Sequence, residues 1–132
     1  QVIRQWSDID KPGVLVAVQA GTFMEPVMEQ RLKRAQLVRV KLPATREREL
    51  VAGRVDVFMT DYPYSRRLLD NADWARLITS PDPFSVIPYA YAVKPGDAKW
   101  LATVDDFVSR IKRDGRLERA AVNHGLGPIV VR

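Results

Sequence analysis

Apolar and polar positions along this chain switch between a strand-like and a helix-like rhythm, and the switches mark its elements. "VLVAV" (14–18) is continuously apolar, the pattern of a strand covered on both faces. "QAGT" follows, and "FMEPVMEQRLKRA" (23–35) reads as a helix, with Thr22 its N-cap and Glu25 completing a capping box. Pro26 sits close to the first turn, where a missing N–H costs least. "QLVRVKL" (36–42) alternates as a second strand and closes at Pro43. "TRERELVAGR" (45–54) is a short helix capped by Thr45 and stopped by Gly53. "VDVFM" (55–59) is a third strand, and "YSRRLLDNA" (64–72) is helical.

Farther along, "ARLITS" (75–80) predicts a fourth strand ending in "PDP". "SVIPYAYAVKPG" (85–96) is extended, and Pro88 restricts it to an edge or crossover strand. "WLATVDDFVSRIKRDG" (100–115) predicts an amphipathic helix with Leu101, Val104, Phe107, Val108 and Ile111 on one stripe, ended by Gly115. "RLERAAVNHG" is a second short helix and "LGPIVVR" a tail. Strand–helix alternation of this kind predicts an α/β fold with a parallel sheet, whose ligands gather beyond the C-terminal strand ends. Two such ends stand out, Gln19-Ala20-Gly21-Thr22 and Thr60-Asp61-Tyr62-Pro63.

Composition narrows the chemistry. With 132 residues, 46% hydrophobic and 28% charged, the chain suits one globular domain and not a disordered segment. It has no cysteine, so disulfides and thiol nucleophiles are excluded. No apolar run is long enough to span a bilayer, and "QVIRQWSDID" is not a signal peptide. The net charge of +5 comes from basic residues spread over helical faces with acids interleaved, and no DNA- or RNA-binding signature accompanies them. Nucleic acid is therefore not an expected partner. His124 is the one histidine and reads as a structural helix end, so neither a catalytic triad nor a metal site is expected. Met24 and Met28, at helical spacing, read as core. No catalytic residue, cofactor or enzymatic activity is expected.

The two strand ends carry the remaining candidates. "QAGT" ahead of a helix predicts outward backbone N–H groups able to hold an anion or carbonyl, although it is neither a dinucleotide fingerprint nor a P-loop. Asp61 is open to two readings, a helix N-cap or a carboxylate presented to a cationic ligand group. Asp56, inside the strand run, is expected to reach a neighbouring backbone amide, while Tyr62 and Tyr64 either line a pocket or pack.

In order, "VLVAVQAGTFMEPVM", "ELVAGRVDVFMTDYP", "YAYAVKPGD" and "VDDFVSRIKRDGRLERAAVNHGL" resemble the type II extracytoplasmic solute-binding proteins, in polar amino-acid-binding family 3. The resemblance spans almost the whole chain. It implies a three-layer α/β sandwich with a mostly parallel sheet, a single lobe of a two-lobed fold. Residues 1–93 would form the second lobe with its return crossover strand. Residues 94–132 would be the C-terminal helices that normally pack on a first lobe, which is missing here together with its carboxylate-binding arginine. Asp61 then matches the acid that binds a ligand's α-ammonium, Thr22 and Gly21 belong to the "GT" contact, and Gln19 reaches the ligand side chain. Thr60 and Phe23 are wall candidates.

The implied function is periplasmic or extracytoplasmic binding of a small polar ligand, an amino acid, for ABC-type uptake by closure of two lobes. An ABC permease is the implied partner of the intact protein, and a homodimer through the exposed C-terminal helix is expected of the lone lobe. Alternatives are a sensing domain of a signalling receptor, or a cyclohexadienyl dehydratase-like enzyme. The dehydratases carry a glutamate soon after "TD", whereas this chain reads "TDYPY".

Overall fold

The computed structural model describes residues 2–81 and 86–131. The chain divides into two compact units, residues 1–85 and 86–132. The first is built on a parallel sheet of order β2-β1-β3, with β1 (Leu15–Gln19) in the middle, β2 (Gln36–Val40) on one side and β3 (Val57–Phe58) on the other. Leu15 pairs with Gln36 and Gln19 with Val40, while Val16 pairs with Val57 and Ala17 with Phe58.

The unbroken apolar run of β1 is explained by its central place, because side chains of both parities find a core. Val14, Val16 and Val18 pack with Ile9 and with Met28 of α1 (Met24–Arg31). Ala17, on the other parity, packs with Val40 and Val55, against Leu50 of α2 (Arg46–Val51) and Phe58. Helix, sheet and helix form the expected three layers, and Met28 is core as its spacing indicates. Asp56 also behaves as expected: its Oδ2 accepts the Leu15 N–H at 2.8 Å.

Helix α1 starts later and ends earlier than predicted. Thr22 is not its N-cap: its Oγ1 donates to the Gln19 carbonyl at 2.7 Å, and Phe23, in helical conformation, takes the cap position. The Thr22 hydroxyl proton is committed to the turn before the helix, which leaves the oxygen able to accept. Glu25 reaches back farther than a capping box, accepting from the Gly21 N–H at 2.9 Å. The helix stops at Arg31 because the amides of Lys33, Arg34 and Ala35 converge on Asp10 Oδ1 at 3.0, 2.8 and 2.9 Å.

The fourth strand expected over 75–80 does not form. Those residues join no ladder, and a cavity of about 520 Å³ lies between Val57–Thr60 on one wall and Trp74–Ile78 on the other. Without a paired edge, a β-rich sequence has no ladder to complete. The "PDP" turn and the first residue of the extended 85–96 segment fall partly outside the described residues; 86–96 joins no ladder.

The second unit contains α4 (Ala98–Arg113) and α5 (Arg116–Asn123), joined at Gly115, whose φ of 75° is left-handed and suits glycine. Asp97 caps α4 by accepting the Trp100 N–H at 2.9 Å. Tyr91 and Phe107 meet edge to face at 6.4 Å. His124 occupies the C-cap position of α5, as its sequence context predicts. Among the described residues, no helix is long and apolar enough to cross a membrane.

Candidate ligand site at the C-terminal edge of the sheet

Parallel pairing brings the C-terminal ends of β1, β2 and β3 to one edge. Since Ala17 lies opposite Phe58, Gln19 and Thr60 fall level two residues on, and Asp61 comes next. The sequence-predicted residues are thus gathered by register. Phe23 is exposed and Asp61, Thr22, Gln19 and Thr60 are half-buried, with Gly21 exposed at φ 77° in the turn.

Much of the polar capacity at the β1 end is already engaged. The Ala20 N–H donates to the Val40 carbonyl at 2.8 Å and the Thr22 N–H to Gln19 at 3.2 Å. With the Gly21 N–H on Glu25, three of the amides expected to point outward are spent, and Phe23 N–H makes no hydrogen bond to a described residue. The Gly21 amide and the Arg39 guanidinium together hold the Glu25 carboxyl below the ordinary glutamate value. Gln19 uses its Nε2 to tether the β2–α2 loop, donating to Val40 at 2.9 Å and Ala44 at 3.5 Å. Only its amide oxygen is left to accept from a ligand.

Asp61 satisfies its structural reading and keeps room for the functional one. It is the N-cap of α3 (Tyr62–Leu69), Oδ1 accepting the Tyr64 N–H at 2.7 Å, and Pro63 presets the first turn. Its Oδ2 accepts no hydrogen bond from a described residue. One carboxylate oxygen is thereby fixed by the backbone while the other stays available at the sheet edge. The neighbouring cavity under α3 is lined by Thr60 but by none of Gln19, Gly21, Thr22, Phe23 or Asp61.

Arg46, Phe58 and Glu47 at this edge escaped sequence reasoning, and Tyr64, weighed there as pocket lining or packing, joins them. Arg46, the first residue of α2, donates from Nη1 to the Met59 carbonyl at 2.7 Å. Its guanidinium carbon lies 5.4 Å from the ring centroids of both Phe58 and Tyr64. Glu47 sits 3.7 Å from Arg46 Nη2 and accepts the Tyr64 hydroxyl at 2.9 Å. Burial, then the hydrogen bond to Glu47, hold the Tyr64 phenol above its ordinary value. One signal was present: a cation in a helix's first turn opposes the helix dipole, so it needs partners elsewhere. Among the described residues, no group of His, Cys, Asp or Glu could hold a metal ion.

Solved structures share the fold of this chain. The chain is 28% identical to the ancestral amino-acid-binding protein AncCDT-1, a precursor of cyclohexadienyl dehydratase, with a TM-score of 0.66. That match covers 92% of this chain and 51% of the other. An ancestral cyclohexadienyl dehydratase, AncCDT-3 with a proline-to-leucine substitution, matches at 24% identity and a TM-score of 0.57, over 90% of this chain and 49% of that one. This chain therefore spans about half the length of the solved structures it matches. No protein-family profile and no curated protein matches it.

Proposed function

From a chain that forms one lobe of the type II periplasmic-binding-protein fold, we propose an amino-acid-binding half-site whose ammonium acceptor is Asp61. The carrying observation is the divided role of that carboxylate, with Oδ1 on the Tyr64 amide and Oδ2 open at the sheet's C-terminal edge. A ligand ammonium buried by a second lobe needs a paired acceptor, and a carboxylate already held by the backbone supplies one without reorganising. In a closed two-lobed site, losing such a partner costs about 2–5 kcal/mol. In a lone, wet lobe the cost is far smaller.

The reading is binding without turnover, outside the cytoplasm, for ABC-type uptake. The "TDYPY" stretch offers no acid after Asp61 to protonate a leaving group, and the similarity to AncCDT-1, an amino-acid-binding protein, favours binding. Consumption of prephenate by the two-lobed protein would overturn this. On the same reading an ABC permease is the partner, and α4 offers a face for a second copy.

Amide NMR titration of this chain with individual L-amino acids tests the reading. Asparagine is as good an N-cap as aspartate, so Asp61→Asn keeps α3 capped while removing the charge. Shifts near Thr22 and Asp61 that disappear in Asp61→Asn are expected. Equal binding by Asp61→Asn and the parent would reduce Asp61 to a helix cap.

A further inference from the structure

We propose that Arg46 is the positioning residue for the turn that carries Asp61. The proposal deepens the amino-acid reading and rests on it for the ligand consequence. The Arg46 side chain is only 12% exposed, at a helix N-terminus where the dipole disfavours a cation. A guanidinium taken this far out of water is destabilising unless its charge is compensated. Its Nε is buried and has no hydrogen-bond partner among the described residues, so the compensation comes from the rest of the group.

The compensating contacts bracket Asp61. Met59, whose carbonyl accepts from Nη1, lies two residues before it. Tyr64, whose ring lies 5.4 Å from the guanidinium carbon, comes three residues after it. Tyr64 is also the residue whose amide Asp61 Oδ1 accepts. The third contact, Phe58, is the last residue of β3. Glu47 closes the group by accepting from the Tyr64 hydroxyl while lying 3.7 Å from Arg46. One planar cation thus ties the start of α2 to the end of β3 and the first turn of α3. A guanidinium can donate in its plane to a carbonyl while its charge faces two rings; a lysine ammonium is a point charge without that fork. The turn between Met59 and Tyr64 is thereby held from both sides, and the carboxylate that must meet a ligand inherits its place.

Residue-resolved amide hydrogen exchange on the full chain tests this without any ligand. Arg46→Met keeps the aliphatic bulk and removes charge and donors. The Tyr64 amide is expected to exchange about tenfold faster, while Val16, Ala17 and Val18 in β1 keep their rates. Arg46→Lys should fall between. Unchanged exchange at Tyr64, or equal acceleration in β1, would overturn the proposal, the second because it reports general loss of stability. If Arg46→Met does not fold, Arg46→Lys must show the same confined acceleration, and equal acceleration at Tyr64 and Ala17 in that variant overturns the assignment.

A second arm titrates parent and variants with individual L-amino acids. Any amino acid that binds the parent is expected to bind Arg46→Met about tenfold more weakly; equal binding overturns the positioning role. If the parent binds none of them, the amino-acid reading fails, and the exchange rates still decide what Arg46 does.

Discussion

The two units use amphipathic sequence to different ends. In residues 2–81 the apolar positions converge on a sheet, and every buried core residue of the described chain lies there, from Ile9 to Ala72. In residues 86–131 no helical residue is buried, and Tyr89, Tyr91, Trp100, Leu101 and Phe107 are exposed. Periodicity makes an apolar face, but only a second layer turns that face into stabilisation. The first unit has that layer on both sides of β1. Among the described residues the second shows a helical hairpin with Tyr91 edge-on to Phe107.

The largest test of this contrast is Met28→Ala. Met28 is 3% exposed in the core under α1, and truncation should cost about 2–4 kcal/mol in urea unfolding. A loss under about 1 kcal/mol would mean that the first core is loosely packed.

Next comes Asp10, whose Oδ1 collects three backbone amides across the α1–β2 connection. Asp10→Ala should destabilise by about 1–2 kcal/mol, discounted for partial exposure. The amide of Ala35, then that of Arg34, hold this carboxyl below its ordinary 3.8. A lowered carboxyl stabilises the folded state fully above its unfolded value and loses that contribution as pH falls through the folded one. Parent stability should therefore drop below about pH 4, and the Asp10→Ala chain should show a shallower drop there. Identical acid profiles would refute the assignment.

A smaller effect separates the two roles of Asp61. Loss of the cap in Asp61→Ala should cost about 1 kcal/mol, whereas Asp61→Asn should cost no more than a few tenths. Thermal unfolding of both variants checks this. Equal losses would show that the charge, and not the cap, stabilises α3.

The smallest effect is expected in the second unit. Leu101 is 46% exposed, so Leu101→Ala should change stability by less than about 0.5 kcal/mol. A loss matching that of Met28→Ala would show that this face is covered in solution, which would erase the contrast.

Legibility in the sequence followed the range of each interaction. The Thr45 cap was readable because its side chain meets Arg48 N–H three residues on, at 3.4 Å, and Asp61 meets Tyr64 at the same spacing. β1 was readable because a run apolar at both parities needs cover on both faces. Asp10 was not, since its partners lie 23 to 25 residues away and nothing local marks them. Arg46 was hidden in the same way, its partners being Phe58, Met59 and Tyr64 on two other elements. The segment 75–80 misled because β propensity reports fitness for a sheet and not the presence of a neighbouring edge.

By itself, then, the sequence determined the alternation of strands and helices from β1 to α3, the Thr45 and Asp61 caps and the apolar centre of the sheet. All of these depend on periodicity or on contacts a few residues apart. Tertiary structure alone decided that the sheet stops at β3 among the described residues, that the Thr22 hydroxyl turns inward to Gln19, and that a half-buried Arg46 reaches the Met59 carbonyl two residues before Asp61. Those outcomes depend on which distant groups register and packing bring within hydrogen-bonding distance.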